Sequence, residues 1–248
     1  MKTTVAYQND EFLMSEEARS VRILCEYLEP RARLARLGAS RAVIFFGSAR
    51  VRPRASRGPD YYALAADLAE RLARWTLERH PPASRYYLCT GGGPGIMQAV
   101  HEGAARVDRT LNLGFNISLP HEQHVNPFVT RERAFEFHYF FMRKLWFASL
   151  AQAFVAFPGG FGTFDELFEM LNLTQTGKAQ VKPILLFGAE FWRKAVNFDE
   201  LLARGYIAAE DLRLMHTVDG VDEAYQVLTA ALEAKNGATA STDPRAEA

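Results

Sequence analysis

Two periods of hydrophobic and polar residues alternate along this chain, and the switches between them predict its elements. Short runs that are apolar almost throughout read as strands: "RAVIFFG" at 41–47, "RYYLCT" at 85–90, "TLNLGFNISL" at 110–119, "AFVAFPGG" at 153–160, "KPILLFG" at 182–188 and "LRLMHTV" at 212–218. Between them lie stretches with apolar residues three and four apart, which read as helices at 59–79, 94–106, 163–177, 189–205 and 220–235. The segment "FHYFFMRKLWFASLA" at 137–151 reads as a largely buried helix. Ahead of the first strand, 15–37 has helical periodicity, with Pro30 predicted to split or end that helix.

Strands that are apolar on both sides and separated by helices imply a parallel sheet covered on both faces. The predicted fold is therefore α/β, a single doubly wound (Rossmann-like) sheet with an N-terminal helical arm. The predicted organisation is an arm over 1–39, a nucleotide-binding catalytic domain over 40–235, and a disordered tail over 236–248, which lacks large apolar residues. Neither an internal repeat nor a Pro/Ser-rich linker divides the chain.

Composition narrows the function classes. The 248 residues are 48% hydrophobic and 23% charged, with 29 basic and 29 acidic side chains, so no net charge draws the chain to nucleic acid or to a membrane. The two cysteines, Cys25 and Cys89, are far apart and belong to no metal-ligand cluster, which argues for a reducing compartment. The first residues lack a signal-like apolar stretch, and no run reaches about 18 apolar residues. A cytoplasmic, soluble protein is the expectation.

In a doubly wound sheet, ligands bind beyond the carboxyl ends of the strands. Three strand ends carry glycine there: "FFGSAR" with Gly47 and Ser48, "CTGGGPGIM" with Gly91, Gly92, Gly93 and Gly95, and "FPGGFGTFDEL" with Gly159, Gly160 and Gly162. Glycine lets backbone amides at a helix N-terminus approach an anion closely. The usual nucleotide signatures fail. GxGxxG would need glycine at 96 or 165, where Ile96 and Asp165 stand, and no Gly-Lys-Ser/Thr tripeptide exists for a P-loop. Three such loops at one sheet edge still point to a phosphate-bearing ligand. Behind the third loop, Thr163 and Glu166 have the T-x-x-E spacing of a capping box, so Glu166 either caps its helix or faces the ligand. His121 and His124 flank Glu122 in a loop, but without HExxH spacing they define no metal site.

"PGGFGTFDE" resembles the P-G-G-x-G-T-x-x-E signature of the LOG ("Lonely Guy") family of nucleotide 5′-monophosphate phosphoribohydrolases. "FFMRK" matches the end of that family's M-H-x-R-K segment at Arg143 and Lys144, and "GGGPGIM" and "FGSAR" resemble its other two loops. The resemblance runs over roughly 43–178. It departs at Phe140 and Phe141, which replace the Met-His pair, and at "GSAR", which lacks a cysteine common in shorter members.

The resemblance implies an N-glycosidase acting on AMP or a cytokinin riboside 5′-monophosphate, releasing the free base and ribose 5-phosphate without a cofactor or metal. It implies catalytic roles for Glu166 and Arg143. Phosphate and ribose contacts are implied for Gly159, Gly160, Gly162, Thr163, Gly92, Gly93, Gly47, Ser48 and Lys144. It also implies a homodimer or higher homo-oligomer, pairing near the aromatic segment 135–147. The "lysine decarboxylase" label of some relatives finds no support: a pyridoxal enzyme needs a Schiff-base lysine with a supporting acid, and Lys144 or Lys178 alone establishes neither. The rival reading is a non-catalytic nucleotide or phosphate-cofactor binder; Arg143 and Glu166 favour the enzyme. An oligomeric scaffold is the third class.

Overall fold

A computed structural model describes residues 3–53, 58–118, 124–180 and 182–239. Two helices, α1 (Asp10–Met14) and α2 (Arg19–Leu37), precede the first strand. Then follow β1 (Ala42–Phe46), α3 (Tyr61–Arg79), β2 (Tyr87–Thr90), α4 (Ile96–Asp108), β3 (Asn112–Ile117), β4 (Ala134–Phe137) and α5 (Phe140–Leu150). The second half comprises β5 (Ala151–Ala156), α6 (Phe161–Gln175), β6 (Ile184–Phe187), α7 (Ala189–Ala195), α8 (Phe198–Ala203), β7 (Met215–Val218) and α9 (Val221–Thr239).

The seven strands form one sheet in the order β4-β3-β2-β1-β5-β6-β7, and every neighbouring pair is parallel. The predicted doubly wound sheet is what forms. Strand β1 explains why its run is apolar without alternation. Val43 and Phe45 join a core with side chains of α3, α4 and α9, while Ala42, Ile44 and Phe46 join a second core with residues of α5, α6 and α7. Both faces are covered, so a polar residue on either would be stranded without water. The chain order reverses between β1 and β5, and the crevice outside their carboxyl ends is where such folds place ligands.

Four expectations change. Pro30 does not split its helix: α2 continues through it. Proline removes one N–H and so frees the carbonyl of Glu26, four residues back. That carbonyl accepts the Trp146 indole N–H at 3.0 Å, so a side chain of α5 replaces the missing helical donor. Strand β4 was not anticipated. Its "AFEF" has only two inward residues, Phe135 and Phe137, and runs straight into an aromatic stretch that reads as helix. The helix predicted over 189–205 is two helices, because Val196 is extended and the Asn197 side chain accepts the Glu200 N–H to start α8. And α5 is not buried all round: Met142, Trp146, Phe147 and Leu150 are inside, but Phe140, Phe141 and Leu145 are exposed.

At the carboxyl end of the chain, α9 runs to Thr239, into the segment predicted to be disordered. The rest of that predicted tail, and the His121–Glu122 pair weighed for metal, lie outside the described residues. Among the described residues no group of histidine, cysteine and carboxylate side chains could hold a metal ion. No helix there is long and apolar enough to cross a membrane.

Helices α3 and α4, which cover one face, meet where Gly103 lies against Ala66. A Cβ at Gly103 would come within 1.9 Å of the Ala66 carbonyl oxygen. Backbone cannot yield as a flexible side chain does, so Gly103→Ala should destabilise the fold by at least about 1–3 kcal/mol. Gly220→Ala, at the N-cap of α9 with nothing within 4 Å of its added carbon, should cost less than about 1 kcal/mol. Urea unfolding of the two variants checks the contrast.

Candidate active site

The loops that leave β1, β2 and β5 are bonded to one another through backbone. Ser48 N–H donates to the Pro158 carbonyl at 3.0 Å, and the Ser48 carbonyl accepts the Ile96 N–H at 3.1 Å. Phe157 N–H donates to the Phe46 carbonyl at 2.9 Å. Such close approach explains several of the glycines. Gly95 has φ +70°, and a Cβ there would lie 2.2 Å from the Ser48 carbonyl oxygen. A Cβ at Gly47 would meet Ile96 at 2.7 Å, and one at Gly159 would meet Thr163 Oγ1 at 2.0 Å. Gly160 and Gly162 differ, with nothing within 4 Å of an added carbon. Their space is the cleft itself.

That cleft, about 940 Å³, opens at the reversal of strand order. Of the residues predicted for the site, Gly47, Ser48, Arg143, Gly160, Gly162, Thr163 and Glu166 line it. Gly92, Gly93, Gly159 and Lys144 do not; Gly91 takes the place of its two neighbours. The carbonyls of Gly92 and Gly93 turn away to accept the Asn126 amide, at 2.9 and 3.2 Å, and Gly92 N–H donates to Thr90 Oγ1. Asn126 also meets Nδ1 of His101 at 3.0 Å, whose Nε2 lies 3.1 Å from the Leu113 carbonyl. Burial draws the His101 imidazole down to about 4, so this brace under the second loop stays neutral. Lys144 turns to the side of the cleft, bonding Asp165 at 2.8 Å and Glu169 at 3.3 Å.

Two polar lining residues escaped the sequence reading. Asn116 is a buried polar residue near the carboxyl end of β3, and Arg50 stands just after the first loop. The signal for Asn116 was there, since an asparagine follows the apolar core of the strand at its carboxyl end. Arg50 sits in an arginine-rich stretch that reads as solvated surface.

The centre of the cleft is an ion pair. Arg143 Nη2 donates to Glu166 Oε1 at 2.9 Å, linking α5 to α6. Arg143 is held between two rings of its own helix, 5.2 Å from the Phe140 centroid and 5.7 Å from that of Phe147. Glu166 is only 3% exposed, and its second oxygen, Oε2, is buried without a hydrogen-bond partner among the described residues. Burial pushes the Glu166 carboxyl up to about 7, against the pull of Arg143 and Lys144. The capping alternative falls away: Gly160 is the N-cap, α6 begins before Thr163, and no side chain caps it. Asp165 points aside to Lys144, as its position about 100° round the helix requires. One oxygen of a titratable carboxylate is thus held by a permanent cation, while the other is buried without a partner among the described residues. Beside them the first turn of α6 offers backbone amides and the positive end of its dipole.

Comparison with known proteins gives a consistent set of likenesses. A family model described as "Possible lysine decarboxylase" matches residues 97–228. A protein of Oryza sativa subsp. japonica named "Probable cytokinin riboside 5'-monophosphate phosphoribohydrolase LOG4" is 28% identical over 76% of this chain and 76% of its own length. An Arabidopsis thaliana protein named "Cytokinin riboside 5'-monophosphate phosphoribohydrolase LOG2" is 28% identical over 65% of this chain and 74% of its own. Among solved structures, the molybdenum cofactor binding protein of Rippkaea orientalis aligns with a TM-score of 0.51. It is 18% identical and covers 77% of this chain and 96% of that one, a likeness of fold.

The raised carboxyl makes a stability prediction that needs no substrate. The folded state keeps the Glu166 proton up to about pH 7, whereas an unfolded glutamate loses it near its ordinary value of 4.5. Between those values the folded state binds more protons, so its stability falls as pH rises, then levels off. Glu166→Gln cannot ionise. Its melting temperature relative to wild type should therefore climb from pH 4.5 to 7 and stay flat above, as thermal unfolding across that range would record.

Proposed function

The chain belongs to the LOG family, whose model matches more than half of it, and from that premise we propose that it hydrolyses the N-glycosidic bond of a nucleoside 5′-monophosphate. The products are the free base and ribose 5-phosphate, and the substrates of choice are AMP or cytokinin riboside 5′-monophosphates. The observation that carries this reading is the pair of half-buried Arg143 and buried Glu166 beside a helix N-terminus in one cleft.

In the proposed reaction the phosphate rests against Gly160, Gly162 and Thr163, where the positive end of the α6 dipole meets a negative charge. The C1′–N bond breaks with its electrons passing to the base, and C1′ develops oxocarbenium character. Ionised Glu166 stabilises that charge and takes a proton from the water whose oxygen attacks C1′. Arg143 holds Glu166 in place and neutralises part of its charge. Being permanently protonated, it orients groups and does not donate protons. The departing base takes up its proton from the surrounding water.

The word decarboxylase in the family description fits these residues poorly. Burial lowers the Lys144 pKa, but Asp165 and Glu169 outweigh it and leave it raised, so the amine is a charged ion-pair partner at the side of the cleft. A Schiff-base lysine has to be neutral and face its cofactor. For assembly, we propose a homodimer or higher homo-oligomer through the outer sides of α2 and α5. Leu24, Tyr27 and Leu28 on the first, and Phe141 and Leu145 on the second, are more than a third exposed.

Incubation with AMP, other monophosphates and cytokinin ribotides, scored by released base, tests the reaction. Glu166→Gln and Arg143→Ala should each lose about 10²–10⁴-fold in kcat. Because the ionised carboxylate is the active form, the rate should rise with pH to a plateau above about 7. Base release that persists unchanged in Glu166→Gln would overturn the proposal. Nucleotide binding without release would favour the non-catalytic binder. Assembly with no thermal shift from any nucleotide would favour a scaffold.

A further inference from the structure

The arm ahead of the sheet lies outside the matched segment, yet one of its residues reaches the helix that carries Arg143. Helix α5 starts without a side-chain cap of its own: Tyr139 at the N-cap position accepts no bond through its side chain. The Glu26 carboxylate of α2 fills that gap. Its Oε1 accepts the His138 N–H at 2.7 Å and its Oε2 the Tyr139 N–H at 3.2 Å. The Tyr139 carbonyl in turn accepts the Arg143 N–H at 3.2 Å. One turn further on, the Trp146 indole bonds the Glu26 carbonyl that Pro30 leaves without a helical donor. Glu26 therefore grips α5 on both sides of Arg143, by its side chain at the first turn and by its main chain at the second. Its negative charge also lies at the positive end of the α5 dipole.

We infer that Glu26 is a positioning residue, which sets the placement of Arg143 against Glu166 through the start of α5. The inference rests on the proposed hydrolysis for its kinetic consequence, though not for its structural one. Arg143 meets Glu166 through one hydrogen bond, so a small shift or rotation of α5 is enough to lengthen that contact. The charges acting on Glu166 are Arg143 and Lys144 from α5 and Asp165 and Glu169 on its own helix, and Arg50 lines the same cleft. Of these, only Arg143 and Lys144 ride on the element that Glu26 holds. Loosening α5 should weaken their pull and raise the Glu166 titration further.

Two measurements on the full chain test this: the Glu166 carboxyl titration by carbon-13 NMR, assigned through its loss in Glu166→Gln, and steady-state base release from AMP. In Glu26→Ala the titration midpoint should move above the wild-type value, with kcat down about tenfold to a hundredfold and KM within about threefold. Glu26→Gln keeps one acceptor oxygen and should recover most of the loss. An unmoved midpoint overturns the inference, even if kcat falls, because general loosening of the fold would produce that pattern. If Glu26→Ala does not fold, Trp146→Phe, which removes the indole N–H donor together with part of the ring, should move the midpoint in the same direction by less. No movement in Trp146→Phe then overturns the inference. If wild type releases no base from any monophosphate, the hydrolysis reading fails, and the NMR midpoints alone decide the positioning role.

Discussion

Everything at the functional end of this molecule hangs on the main chain of Ser48. Its N–H bonds the loop after β5 and its carbonyl bonds the start of α4, so three strand ends are tied at one residue. Strand β1 lies between β2 and β5, where the order of strands reverses, and a crevice opens there because successive connections depart to opposite sides. The ties demand glycine at Gly47, Gly95 and Gly159, where any side chain would strike backbone or a packed neighbour. The glycine-rich loops therefore serve two ends. Some glycines let loops touch one another, and only Gly160 and Gly162 leave open space toward a ligand.

The carboxylate at the centre is in a state of electrostatic tension. Removing a glutamate from water favours its neutral form, while a guanidinium at hydrogen-bond distance favours the charged form. Here burial prevails, and the Glu166 titration falls near neutrality. A group in that position exchanges a proton readily at neutral pH, a property general bases require. The tension is stable only because Arg143 is itself fixed, between two phenylalanine rings and on a helix anchored from the arm.

Much of the fold was legible because each central strand had to be apolar on both faces, and six of the seven strands appear as short apolar runs. Edge strand β4 did not, since only Phe135 and Phe137 face inward and nothing separates them from the aromatic helix that follows. The continuity of α2 through Pro30 was likewise invisible, because the Trp146 donor that compensates for it comes from more than a hundred residues away. In the site, the two residues to which the proposed chemistry is assigned, and the glycines of the third loop that line the cleft, were readable from local spacing and resemblance. Lys144, Gly92 and Gly93 were not separable from them, since sequence adjacency does not say which way a carbonyl or a side chain turns.

By itself, the sequence determined the alternation of elements, the three glycine-bearing strand ends, and the candidate pair Arg143 and Glu166, all properties of local period and residue type. The tertiary structure alone decided that Glu166 faces the cleft and does not cap its helix. The helix begins at Phe161, upstream of Thr163, and a cation on a neighbouring helix occupies one of its oxygens. That choice depends on burial and on a partner 23 residues away in sequence, neither of which a four-residue spacing encodes.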